Sequence, residues 1–123
     1  IIYRQTGEKS TLIRFPGGSS NGVSSFNPGI MTRLSKLVEE KGFTYFDWNV
    51  SSKDAVSPMR PVHEIVRNCT QNLENFDNAV ILLHDAANKT STVDALPEII
   101  ESIQAMDNTE ILPITEETVA IHH

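Results

Sequence analysis

Residues 79–85 read Ala-Val-Ile-Leu-Leu-His-Asp. Five apolar residues in a row describe a strand covered on both faces, not one that alternates between core and solvent. Strands of that kind sit in parallel sheets, where crossover helices cover each side. The run ends on two titratable residues, His84 and Asp85. In parallel α/β folds ligands gather at the carboxyl ends of the strands. The stretch therefore predicts both a fold class and the edge of the fold where chemistry belongs.

The same pattern continues outward. Residues 10–14 (Ser-Thr-Leu-Ile-Arg) predict a short buried strand that opens into a Gly/Ser/Asn-rich loop over 17–25. A helix is expected from Pro28, capped by Asn27, with Ile30, Leu34, Leu37 and Val38 at helical spacing and Gly42 as its stop. Residues 43–50 are rich in aromatic and β-branched residues and predict a strand, and 51–61 predict a loop. A second helix is expected over 61–73, with Val62, Ile65, Val66 and Cys69 on one face. A third is expected over 93–106, burying Leu96, Ile99, Ile100 and Ile103, followed by a last strand over 110–114. This β-α-β-α-β-α-β order predicts an α/β fold with a parallel sheet.

Composition narrows the function classes. The 123 residues are 39% hydrophobic and 21% charged, as a single folded domain should be. The net charge is -6 and no Lys/Arg stripe is present, which argues against nucleic acid as a partner. No apolar run approaches the ~20 residues that span a bilayer. Cys69 is the single cysteine, which excludes an intrachain disulfide and a cysteine-based zinc cluster. The chain opens on Ile1 and not on Met, so a processed chain or an excerpt of a longer one is expected.

The residues that follow the predicted strands are Arg14-Phe15-Pro16-Gly17-Gly18, the stretch 51–54, His84-Asp85 and Pro113-Ile114. Three of these four sites carry charged, titratable or Gly-rich chemistry. His84 suits general acid or base work near neutrality; the plainer reading is a core or capping histidine. Asp54 could keep an imidazolium protonated or orient an arginine, or it could be a solvated loop residue. Arg14 ends an apolar strand, where a guanidinium needs a carboxylate; Asp47, Asp54 and Asp85 are available. Backbone N–H groups near Gly17 could form an oxyanion hole, because glycine admits close backbone approach.

Residues 18–22 match Gly-x-Ser-x-Gly, and Ser20, Asp54 and His84 follow the chain order of an α/β-hydrolase triad. A nucleophile elbow needs its helix to start at once, however, and residues 23–27 intervene before Pro28. His63 lies within a predicted helix. His122 and His123 are adjacent, so on an extended chain they face opposite sides and do not make a metal pair.

Taken together, these segments resemble the polysaccharide deacetylases of carbohydrate esterase family 4, which share the NodB-homology domain. Arg14-Phe15-Pro16-Gly17-Gly18-Ser19 resembles the family's Arg-x-Pro motif. Trp48-Asn49-Val50-Ser51-Ser52-Lys53-Asp54 resembles Trp-x-Val-Asp-x-x-Asp-Trp, and Leu82-Leu83-His84 resembles Leu-x-His. The resemblance implies hydrolysis of N-acetyl groups on amino-sugar residues of cell-wall glycan, peptidoglycan or chitin-like, by water activated on a divalent metal, zinc first. It implies that His84 protonates the leaving amine, that Asp54 tunes His84 and that Arg14 orients a base aspartate. Gly17, beside Pro16, would stabilise the oxyanion through its N–H, and Leu82 would line the acetyl pocket. A bacterial, extracellular or cell-wall-associated setting goes with the family.

Departures accompany the match. Gly17 stands where the family usually has tyrosine, Ser51 where it has the first aspartate of its motif, and Ala55 where it has tryptophan. The family's Thr-Phe-Asp-Asp-Gly motif, which supplies the base and a metal-binding aspartate, and its His-x-x-x-His motif do not occur in these 123 residues. The resemblance therefore implies the C-terminal portion of one catalytic domain, the later strands of an irregular (β/α)7 barrel, over 1–123. No metal is expected on this chain's own motifs. An open sheet edge of that kind should need a partner, either the missing N-terminal half or a second copy. A serine esterase using Ser20 and a non-catalytic carbohydrate-binding fragment are the alternatives.

Overall fold

The computed structural model describes residues 2–22, 25–56 and 59–123. Residue 1 and parts of the loops expected over 17–25 and 51–61 (23, 24, 57 and 58) lie outside that set. The chain divides into two compact units, one formed by 1–47 with 114–123 and the other by 48–113.

The first unit holds α1 (Ile2–Thr6), β1 (Leu12–Ile13), α2 (Ile30–Glu40) and β2 (Thr44–Tyr45). Strands β1 and β2 pair in parallel, Leu12 against Thr44 and Ile13 against Tyr45. The strand expected at 10–14 is present as the two residues of β1, half-buried and not buried, and the helix that follows it is present. That helix starts two residues later than expected. Asn27 closes a turn onto the Ile30 N–H and accepts from Arg33 Nη2 at 2.9 Å, while Gly29 takes the N-cap position in a left-handed conformation. The stop at Gly42 is as expected. With φ 80, Gly42 donates to Glu39 O and Phe43 donates to Val38 O, both at 2.9 Å, which closes the helix with a Schellman motif. No residue of α2 is fully buried: Ile30, Leu34 and Val38 are half-buried and Leu37 is exposed.

The expected strand over 43–50 is two short strands, β2 and β3 (Val50–Ser51), which belong to different sheets. The break falls at Asp47. Its N–H donates to Ile121 O at 2.7 Å and its carboxylate turns inward. Tyr45 and Phe46 are buried beside it, and the Tyr45 ring stacks on His122 with centroids 3.9 Å apart.

The second unit carries a continuous hydrophobic core. Strand β3 pairs in parallel with β4 (Ile81–Leu82), Val50 against Ile81 and Ser51 against Leu82. Helices α3 (Val62–Thr70) and α4 (Thr90–Gln104) pack on each other, and α3 covers β3. Val50, Ile65, Val66, Cys69, Leu73, Ala95, Ile99 and Ile103 form the buried cluster. Each full burial of such a side chain removes apolar area worth roughly 1.5–3 kcal/mol. Ile65, Val66 and Cys69 sit inward on α3 as expected. On α4, however, Leu96 and Ile100 are exposed, while Ser91, Thr92 and Ala95 are buried in their place. The helix also begins three residues early, so its first turn is polar and faces inward.

Two further expectations are corrected. Strand β4 is half-buried and not covered on both faces. Residues 110–114 form no strand among the described residues; they are exposed and join no ladder. The parallel pairing is present, as two separate two-stranded sheets.

Candidate active site

The register of β3 against β4 brings two predicted residues together. His84 follows β4 by two positions and Asp54 follows β3 by three. Both strands run the same way, so both side chains emerge at the same end of the sheet. His84 Nδ1 lies 2.7 Å from Asp54 Oδ1, and the His84 backbone N–H donates to Asp54 Oδ2 at 2.9 Å. Asp54 is 1% exposed, whereas the His84 side chain is 36% exposed. His84 Nε2 has no partner among the described residues. A ring that gives its Nδ1 proton to Asp54 thus keeps Nε2 for an incoming group.

Asp54 is held from several sides. Ser52 Oγ donates to Oδ1 at 2.7 Å and Thr92 Oγ1 donates to Oδ2 at 2.9 Å. Burial pushes this carboxyl up, but hydrogen bonds from the His84 ring, Ser52, the His84 backbone and Thr92 outweigh it and bring the pKa down to about 2. The aspartate is therefore a permanent anion under the imidazole at neutral pH.

The backbone around Asp54 is pinned as well. Lys53 adopts a left-handed conformation with φ 57, an uncommon state for a residue with a side chain. Three successive carbonyls each receive a side-chain donor. Asn68 Nδ2 donates to Ser52 O at 3.0 Å, Arg60 Nε to Lys53 O at 2.9 Å and Lys89 Nζ to Asp54 O at 2.6 Å. Arg60 in turn pairs with Glu64 at 2.8 Å. Sequence reasoning missed Ser52, Thr92 and Lys89. Thr92 and Lys89 come from the start of α4, whose early beginning the apolar spacing did not signal.

Arg14, Pro16 and Gly17 lie in the first unit. Arg14 Nη1 donates to Phe15 O at 3.4 Å. Gly17 and Gly18 have φ 74 and 81. Gly18 N–H donates to Phe15 O at 2.9 Å, and Asn21 Nδ2 donates to the carbonyls of Pro16 at 3.2 Å and Gly18 at 2.8 Å. The Gly17 N–H has no partner among the described residues, and Gly17 is exposed. A shallow hollow of about 270 Å³ lies beside this loop, lined by Ser19, Ser20, Asn21 and the start of α2. Leu82 is half-buried in β4.

Within the first unit, Ser20 and its neighbours do not make a serine relay. Ser20 Oγ lies 3.0 Å from His123 Nδ1, and the Asp47 carboxylate lies 3.9 Å from that same nitrogen. A relay needs the serine and the carboxylate on opposite ring nitrogens. Helix α2 also starts ten residues after Ser20, not directly behind it.

Among the described residues no three His, Cys, Asp or Glu side chains stand together as a metal ion would need. The residues present do not by themselves fit the divalent metal that the family resemblance implies.

No protein-family model matches the chain. A relative described as "Putative polysaccharide deacetylase YheN", from Bacillus subtilis (strain 168), is 30% identical over 102 residues, covering 80% of this chain and 33% of that protein. A solved structure, the catalytic domain of peptidoglycan N-acetylglucosamine deacetylase from Eubacterium rectale ATCC 33656, matches with a TM-score of 0.89 and 38% identity. That match covers 99% of this chain and 55% of that one. The chain resembles the polysaccharide deacetylases. It spans about a third of the length of YheN and about half of the Eubacterium rectale chain. The observed helices and parallel strands match those of a deacetylase catalytic domain, and no helix among the described residues is long and apolar enough to cross a membrane.

Proposed function

We propose that residues 1–123 form the later part of a deacetylase catalytic domain that removes N-acetyl groups from amino-sugar residues of cell-wall glycan. The observation that carries this reading is the buried, ionised Asp54 bonded to the half-exposed His84. Hydrolysis of an acetamide breaks the carbonyl carbon–nitrogen bond. The departing nitrogen must gain a proton, or it leaves as an unfavourable amide anion. An imidazolium that gives Nδ1–H to Asp54 donates Nε2–H to that nitrogen, and the products are acetate and the sugar amine. The Asp54 charge compensates the imidazolium until transfer.

The other assignments follow the motif matches. Arg14 orients the base aspartate, the Gly17 N–H beside Pro16 receives the developing oxyanion, and Leu82 lines the acetyl pocket. The exposed Gly17 N–H, unpartnered among the described residues, favours that assignment. Neither the base nor the metal ligands of the family motifs have counterparts in these residues. The proposed metal dependence therefore rests on residues other than these, and residues 1–123 by themselves are expected to be inactive. The reading puts the protein on a bacterial cell surface, where its glycan lies.

Chelator treatment of the full-length protein tests the reaction class. Loss of acetate release on chelation, restored by zinc, is expected. Activity that survives chelation and disappears in Ser20→Ala would instead establish the serine esterase.

A further inference from the structure

Asp47 is a second buried carboxylate, and the chemistry above gives it no role. It is 0% exposed. A carboxylate stripped of water is strongly disfavoured unless hydrogen bonds replace the lost solvation. Here they come from two places. Asp47 Oδ1 accepts the Ser19 N–H at 2.7 Å, and Oδ2 accepts Ser19 Oγ at 2.5 Å and the His123 N–H at 2.9 Å. His123 Nδ1 lies farther off, 3.9 Å from Oδ1. Burial pushes the Asp47 carboxyl up, but the Ser19 and His123 contacts outweigh it and hold it below the usual range.

Two of these bonds come from Ser19, which lies two positions beyond Gly17. The intervening loop is held by bonds of its own, from Asn21 Nδ2 to the carbonyls of Pro16 and Gly18. Gly17 and Gly18 are both left-handed, and a Cβ at Gly17 would come within 3.1 Å of Asn21 Cβ. The Gly18 N–H is taken by Phe15 O, and the Ser19 N–H is taken by Asp47. Of the three consecutive N–H groups over 17–19, only that of Gly17 has no partner among the described residues and is left for a ligand. Asp47 thus both removes a competing donor and fixes the far end of the loop.

We propose that Asp47 is a positioning residue for catalysis, clamping Ser19 so that the Gly17 N–H is held where the acetyl oxygen becomes an oxyanion. The proposal rests on the reading of Gly17 as the oxyanion donor. A donor aimed at charge that develops only in the transition state acts on kcat and leaves ground-state binding nearly untouched. The clamp also accounts for how a Gly-Gly-Ser loop can serve without the tyrosine the family usually places after the proline: the anchor is supplied by Asp47, not by a side chain at position 17.

The test compares the full-length wild-type protein with Asp47→Asn, Ser19→Ala and Ser19→Thr, measuring acetate release from chitooligosaccharide with circular dichroism as the check on folding. Ser19→Ala and Asp47→Asn are expected to lower kcat by about 10- to 100-fold with KM changed less than about threefold. Ser19→Thr keeps the hydroxyl and should recover most of the loss. If Asp47→Asn is misfolded, the Ser19 pair decides alone, because each of its members leaves the carboxylate in place. Wild-type activity with an unchanged kcat in Ser19→Ala overturns the clamp and leaves the deacetylase reading standing. A wild-type protein that releases no acetate overturns both.

Discussion

His84 and Asp54 are joined twice: ring Nδ1 to Oδ1 at 2.7 Å and backbone N–H to Oδ2 at 2.9 Å. The second bond ties the carboxylate to the main chain of the histidine it serves, so Asp54 is held beside the point from which the ring projects. The pair sits at the ends of two parallel strands whose register is set by Val50 against Ile81.

Asp54→Asn keeps the shape and removes the charge. Without the anion the imidazolium loses its compensation, and the amide can no longer accept every bond the carboxylate takes. We expect kcat of the full-length protein to fall by roughly 10²–10⁴-fold, measured as acetate released per folded enzyme. Retention of wild-type kcat would remove Asp54 from the mechanism.

Thr92→Val deletes one donor to the buried Asp54 while nearly preserving volume. Leaving a buried acceptor short of a bond costs about 1–3 kcal/mol. Urea unfolding should show that loss at pH 7. Because it derives from the charged carboxylate, the difference between variant and wild type should shrink once Asp54 is protonated.

Acid stability follows from the Asp54 pKa. In the unfolded chain an aspartate titrates near about 4, and in the folded protein this one titrates at about 2. A depressed folded pKa adds stability that is fully present above the unfolded value and is lost as pH falls through the folded value. Denaturation midpoints should therefore drop between about pH 4 and about pH 2, and the Asp54→Asn variant should show a flatter profile over that window. Equal slopes would contradict the assignment.

Cys69 is fully buried against the α4 face, and burial, with the Asp54 charge nearby, pushes its thiol up to about 11. The thiolate is the reactive form. Iodoacetamide should leave Cys69 unmodified in the native protein at pH 8 and label it in denaturant, as read by mass spectrometry. Fast native labelling would mean that the core around Ile65 and Ile99 opens readily.

The candidate site was legible where it depends on strand ends. The apolar run before His84 and the aromatic stretch before Asp54 marked two carboxyl termini, and parallel strands bring such termini together. What supports the pair was not legible. Thr92 and Lys89 act from the first turn of α4, which carries no apolar periodicity. Ser91, Thr92 and Ala95 face inward while Leu96 and Ile100 face out, so reading burial from hydrophobicity alone placed the helix start too late. The split of 43–50 was hidden for a similar reason. Every residue there favours a strand except Asp47 and Asn49, and the inward turn of Asp47 depends on Ser19 and on residues 121–123, which lie far away in sequence.

Acetate release from an N-acetylglucosamine glycan, compared between the full-length wild-type protein and His84→Ala, tests the central claim most directly. The account predicts that the wild type liberates acetate and free sugar amine, and that His84→Ala stays folded but loses about 10²-fold or more in kcat. Undiminished acetate release by a folded His84→Ala protein would contradict it.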